Sequence, residues 1–265
     1  MGKLMQLCAE RPWPEGQIAD RIFTWQGDIS PLGQSVPLRL AGALHALCLQ
    51  GHPVLTTVYP PHTVTDDTLW DAVRTTLVND AVHIDTWLDS APQTNEVRRA
   101  ATLIAVGHLL SDRYGLPIRT SELGASGGLN LHWDSYALQL GDLHFGSPDP
   151  ALTLTPDWSG PLPPRTPLAV TSRSGVDLNP LDPSDPNHAL RLQAYLWPDQ
   201  PERLALTRAA ISAAKTSVTK GDAIDWLAGQ LAHQQGQLHL IYSTVAWQYF
   251  PTERQTLGTK LIETA

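Results

Sequence analysis

Cysteine is scarce: Cys8 and Cys48 are the two in the chain, and neither lies in a Cys-x-x-Cys pattern. That excludes a disulfide framework, and both thiols read as small packed hydrophobes in a reducing compartment. Charge is thin as well, at 17% of residues, and unbalanced, with 18 basic against 26 acidic side chains and a net charge of −8. No run of Lys or Arg occurs, so the counterion release that drives nucleic-acid binding has no source. No apolar stretch approaches the ~20 residues of a membrane span. The opening apolar run is broken by Glu10 and Arg11, unlike a signal peptide, and Gln6 breaks the myristoylation pattern. The ten histidines show no His-Glu-x-x-His motif and no Cys/His zinc spacing, so no metal is expected. What remains is a cytoplasmic globular protein with a small-molecule partner, no nucleic acid and no membrane. Hydrophobic residues make up 42% of 265 positions, enough for one large domain or two small ones.

What is abundant is punctuation, with 22 prolines and 9 tryptophans. Apolar residues recur at helical spacing over 38–50, 66–89 and 96–114, the last closed by Gly115 with Pro117 beyond it. The run PVLTTVY (53–59) reads as a short strand. An N-terminal helical region is therefore expected over 1–116. The texture changes at 117, where PIRTSELGASGGLN reads as a strand, a glycine-rich turn and a helix start. A β-rich insertion is expected at about 132–166, with a hairpin in YALQLGDLHF. Strands follow in 168–180, 217–223 and 238–245, with helices over 187–197, after Pro198, over 223–235 and from Thr252 onward. The last strand, LHLIYSTV, is almost wholly apolar, as a buried parallel strand would be. This alternation gives the fold class: α/β, a mostly parallel, Rossmann-like sheet over 117–265. Such sheets bind ligands beyond the carboxyl ends of their strands, at the switch point.

The sharpest motif is Glu122-Leu-Gly124-Ala-Ser126-Gly127-Gly128-Leu-Asn130. A glycine-rich turn between strand and helix lets backbone amides approach a polar ligand. A dinucleotide fingerprint fails, because its second and third glycines would fall on Ser126 and Leu129. The nucleophile elbow Gly-x-Ser-x-Gly is matched by Gly124, Ser126 and Gly128, which keeps a serine hydrolase open. That reading lacks an upstream oxyanion loop, and of the downstream histidines His233 is expected in a helix and His239 in a strand. The third chemistry is nucleoside binding, in which an acid at the end of the second strand holds the ribose. Gly175-Val-Asp177-Leu-Asn179-Pro180 supplies one such acid, and Lys220-Gly221-Asp222-Ala223 places another at a later strand end. Each acid has a plainer role open to it: Asp177 in a turn before Pro180, Asp222 as a helix N-cap.

Together these motifs resemble the class I S-adenosylmethionine-dependent methyltransferases. The strings PQTNEVRRAA (92–101), ELGASGGLN (122–130), GVDLNPLDPSDP (175–186), LWPDQPERL (196–204), GDAIDWL (221–227) and STVAWQYF (243–250) resemble a bacterial family of unknown function. The methyltransferase resemblance implies that Glu122, Gly124, Ser126, Gly128 and Asn130 cradle the amino-acid end of S-adenosylmethionine. It implies Asp177 on the ribose and Asp222 with Ala223 on the adenine. Ser243, Thr244 and Gln248 would form a substrate wall, Asn95 part of a lid, and Tyr249 a general base. Beside the hydrolase, a non-catalytic nucleotide-binding protein is the other alternative. Asp177, Asp182 and Asp185 crowd one loop, where alternation with proline reads as a rigid turn series rather than a cation site. Fewer strands are read than a complete methyltransferase sheet contains. The sheet is thus expected to be C-terminally incomplete, or to have its exposed edge covered by the N-terminal region or by a partner such as a second copy in a homo-oligomer.

Overall fold

The computed structural model describes residues 2–265, which fall into two compact units. The first runs to residue 94 and takes in residues 190–205. It contains α1 (Gly2–Glu10), α2 (Gln17–Phe23), α3 (Val36–Leu49), α4 (Asp66–Asn79) and α5 (Ala81–Leu88). The α3 sequence, VPLRLAGALHALCL, is apolar on nearly every side, so it forms the middle of this unit's core. Leu40, Leu44, Val73, Leu77, Ile84 and Leu88 meet there. Thr65 starts α4 by accepting the Thr68 amide at 3.2 Å, and Asp66 and Asp67 sit at the positive end of the helix dipole.

Two expectations fail here, both through His52. The helix expected over 66–89 is two helices, broken where Asp80 leaves helical geometry (φ −111°, ψ 25°). The Asp80 carboxylate is held by His52 Nε2 at 3.1 Å. On the other side of the same ring, Nδ1 accepts the Val54 and Leu55 amides at 3.3 and 3.2 Å. The run 53–59 therefore coils into a 3-10 turn at Leu55–Thr57 instead of extending. Among the described residues of this unit there is no strand for it to pair with.

The second unit holds residues 95–189 and 206–265, so α6 (Ala100–Tyr114) belongs with it rather than with the helical region expected over 1–116. After α6 come β1 (Ile118–Leu123), β2 (Ala137–Leu140), β3 (Leu143–Gly146), β4 (Thr153–Leu154) and β5 (Val170–Asp177). The chain continues through α7 (Pro186–Ala194), α8 (Pro201–Ala213), β6 (Thr219–Lys220), α9 (Ala223–Ala228), β7 (Leu238–Tyr242) and α10 (Thr252–Glu263). Four strands form one parallel sheet in the order β6-β5-β1-β7. β1 lies inside it, with Glu122 level with Gly175 on one side and Tyr242 on the other. The insertion forms its own sheet, β3-β2-β4, with β2 and β3 antiparallel, as the alternation in YALQLGDLHF predicts.

Three details depart from the sequence reading. No α-helix follows the glycine turn; Leu129–Ser135 is a kinked 3-10 segment. Its carbonyls bond to side chains in place of amides one α-turn on: Tyr136 donates to Leu129 O at 2.6 Å and Ser135 to His132 O at 2.7 Å. α9 stops at Ala228, with Gly229 as its C-cap, which leaves His233 in a loop. β7 is shorter than 238–245, and each of its five residues is only partly buried. That fits its edge position, where no strand lies beside its outer side among the described residues.

Candidate functional site

The parallel strands bring their carboxyl ends together, and the motif residues lie there. β1 leads into Gly124–Gly128, β5 ends at Asp177, β6 leads into Asp222, and β7 leads into Ser243 and Thr244. The glycine turn takes positive φ at Gly124 (77°), Ser126 (54°) and Gly128 (70°). Gly124 and Ala125 donate their amides to Val176 O at 2.9 and 3.0 Å, which fastens the turn to the end of β5. The Ser126 amide donates to Asp177 Oδ2 at 2.8 Å, and Asn179 donates to Oδ1 at 2.9 Å. Leu129 donates to Asn95 Oδ1 at 2.9 Å. The amides expected to approach a ligand are thus turned onto the chain itself.

The side chains around the turn are unusual. Glu122 is fully buried, its Oε1 accepts from Thr244 Oγ1 at 3.3 Å, and its Oε2 has no partner among the described residues. Burial pushes its carboxyl up to about 8, only partly offset by the Thr244 hydroxyl and the Arg99 charge. At neutral pH it is mostly a neutral acid, able to donate as well as accept. Ser126 Oγ and Asn130 Oδ1 are also buried without a hydrogen-bond partner among the described residues. An unpaired buried polar atom costs about 1–3 kcal/mol. Tyr242, which the sequence reading missed, adjoins both Glu122 and Asn130, donating its hydroxyl to Asn130 O at 3.1 Å. Its only signal was a tyrosine ending an apolar strand. Glu96 was missed too; its carbonyl accepts from Asn130 Nδ2 at 3.3 Å.

The remaining candidates divide. Asn95 is buried and braces the turn. Ser243 Oγ accepts the Trp247 amide at 3.1 Å and so starts the 3-10 turn Ala246–Tyr249. Gln248 and Tyr249 stand on that turn facing solvent, Tyr249 being 74% exposed. Asp222 caps α9 through the Ile224 and Asp225 amides at 2.8 and 3.1 Å and pairs with Arg254. All of these bonds go to its Oδ1. Ala223 packs into the apolar cluster of Leu123, Val176 and Leu227. In the aspartate-rich loop, Asp182 Oδ1 accepts the Ser184 amide at 2.9 Å and Asp185 Oδ1 the Asn187 amide at 2.7 Å. These are turn contacts, the arrangement the proline alternation suggested.

The whole chain, residues 1–265, matches one family, described as "Uncharacterized protein conserved in bacteria (DUF2332)". The chain belongs to that family. No curated protein and no solved structure matches it. No described helix of this DUF2332 chain is long and apolar enough to cross a membrane.

The hydrolase alternative rests on Ser126. Its Oγ has no base within hydrogen-bond distance among the described residues. Two of the downstream imidazoles have other partners: His132 Nε2 accepts the Lys215 amide at 3.1 Å, and His239 Nε2 lies 2.8 Å from Ser121 Oγ. Without a base the hydroxyl is a weak nucleophile. A fluorophosphonate probe is expected to label the native chain no more than Ser126→Ala. Gel fluorescence present in the native chain and lost in the variant would establish the hydrolase.

Proposed function

We propose that the α/β unit binds S-adenosylmethionine at the carboxyl end of β1 and transfers its methyl group to a small acceptor. The observation that carries this reading is the set of three buried, unpaired polar atoms around the turn: Glu122 Oε2, Ser126 Oγ and Asn130 Oδ1. They fit a compact ligand rich in donors and acceptors, such as the amino-acid end of that molecule. The strand order supports the reading. The first strand lies between the second and the fourth, with the third outermost, as in half of a Rossmann sheet. The glycine turn then stands at the switch point between β1 and β7, where such sheets bind nucleosides.

Asp177 would hold the ribose. Its carboxylate stands at the end of β5, where it accepts the amides of Ser126 and Asn179. Asp222 fits an adenine amino group through Oδ2, since Ile224, Asp225 and Arg254 all bond to its Oδ1. When bound, S-adenosylmethionine supplies an electrophilic methyl group. The protein's part is then to align the acceptor and keep water out. Thr244, fastened to Glu122, places the segment after β7 at the same strand ends, and Ser243, Gln248 and Tyr249 continue it outward.

Calorimetry tests the reading. The native chain is expected to bind S-adenosylmethionine saturably. Asp177→Ala is expected to weaken binding roughly 100-fold, the loss of two charge-assisted hydrogen bonds of about 1.5 kcal/mol each. A melting curve of the variant checks that the fold is kept. No heat from the native chain at millimolar ligand overturns the proposal. Binding without methyl transfer to any of a broad set of acceptors would leave a nucleoside-binding unit and remove the enzyme.

A further inference from the structure

Residues 160–167, Gly-Pro-Leu-Pro-Pro-Arg-Thr-Pro, lie between β4 and β5 in neither helix nor strand. Pro161, Pro163, Pro164 and Pro167 each fix φ at about −65°. Leu162, Pro163 and Thr166 each precede a proline and are steered to extended backbone. Within 161–167 only Arg165 escapes both constraints, and the bonds to all four prolines are trans. These constraints give a polyproline II strap, with three residues per turn and no internal backbone hydrogen bonds. No amide of the strap bonds to backbone among the described residues. The strap is tied down at both ends. Trp158 Nε1 donates to Pro161 O at 3.2 Å, Thr166 Oγ1 donates to Asp112 Oδ1 at 2.5 Å, and Thr166 O lies 2.9 Å from His108 Nδ1.

Burial along the strap follows the three-residue repeat. Pro163 and Thr166, on the edge that Thr166 fastens to α6, are both half-buried. Leu162 and Arg165 make a second edge, and both are exposed. Pro161, Pro164 and Pro167 make the third, exposed at its two ends and half-buried in the middle. Arg165 has no ion pair or hydrogen bond among the described residues. We propose that this strap is the docking ligand for a partner protein whose groove is lined by aromatic rings and carries carboxylates at one end. Prolines three apart present apolar rings at the repeat that such grooves accept, and Leu162 adds apolar area beside them. Arg165 would pair with a carboxylate and so fix the direction in which the strap lies. Because the strap is held in shape before it binds, docking costs less conformational entropy than it would for a free peptide.

An SH3 domain selective for Pro-x-x-Pro ligands followed by arginine supplies such a groove and serves as the probe. In an NMR titration of the isotope-labelled domain with the full chain, saturable shifts are expected at the aromatic residues of its groove. Arg165→Glu, a change at an exposed position, is expected to weaken binding about tenfold or more. Pro161→Ala combined with Pro164→Ala removes two rings from the proline edge and is expected to abolish the shifts. Lys260→Glu alters the net charge by the same amount at an exposed position outside the strap and should leave the affinity unchanged. Melting curves of the variants should match that of the native chain. No saturable shift from the native chain overturns the proposal. So does binding that survives Arg165→Glu or the double proline variant, or binding that Lys260→Glu weakens as much as Arg165→Glu does.

Discussion

Glu122→Gln is expected to remove a fall in stability of about 4 kcal/mol between pH 5 and pH 9. The cause is burial: Glu122 is fully enclosed and its carboxyl is pushed from 4.5 up to about 8. Below pH 4.5 the folded and unfolded chains both hold the proton, and the residue costs nothing. Between 4.5 and 8 the unfolded chain releases the proton while the folded chain keeps it. The unfolded state then binds fewer protons, so stability falls as pH rises. Above 8 both states are ionised, and the penalty stays at its full size. Glutamine never ionises, so its curve lacks this fall. His239 acts in the other direction, because burial, with Arg119 nearby, lowers its imidazole to about 4. Its contribution is lost as pH drops from 6.5 toward 4, equally in both proteins, and cancels from the difference. Urea denaturation across this range reads the effect directly, and parallel curves for the two proteins would refute it. The same proton bears on the proposed ligand. A cationic group entering against Glu122 at pH 7 would expel close to one proton, visible as a buffer-dependent heat of binding.

Much of the sheet unit could be read because its signals are local. A strand that ends in glycines, a strand that ends in Gly-Val-Asp, and an alternating hairpin each announce themselves within ten residues. The order of the motifs along the chain then implied parallel strands, and β6-β5-β1-β7 is such a sheet. What stayed hidden depended on contacts far apart in sequence. The break at Asp80 and the turn at Leu55–Thr57 are both imposed by His52, which no periodicity reveals. Residues 190–205 belong to the helical unit, where Tyr195 receives the indole N–H of Trp87 at 3.0 Å across 108 positions. At the site, Asp177 was legible as an acid at a strand end. That it would tie down the Ser126 amide, rather than leave the amide for a ligand, was not.

The glycine turn gives the second large effect. Gly124→Ala is expected to cost about 2–6 kcal/mol, from two separable causes. The first is conformational: φ at Gly124 is +77°, which a side chain adopts only at a cost of about 1–3 kcal/mol. The second is space: a β-carbon on Gly124 would fall well inside van der Waals contact of Ala246 Cβ. Overpacking of this kind typically costs a further 1–3 kcal/mol. The two causes come apart in a double-mutant cycle. Ala246→Gly alone removes one methyl from a half-buried position and should cost about 1 kcal/mol or less. Combined with Gly124→Ala it should restore the spatial part and leave the φ penalty, a coupling of about 1–3 kcal/mol. Strict additivity would mean that the turn yields by moving away from Ala246, and that Gly124 is there for its backbone angle alone. Coupling would mean that the turn after β1 and the segment after β7 are fitted to each other. Thr244 bonding to Glu122 argues for the second outcome, since it holds that segment against the end of β1 from the other side of the same contact.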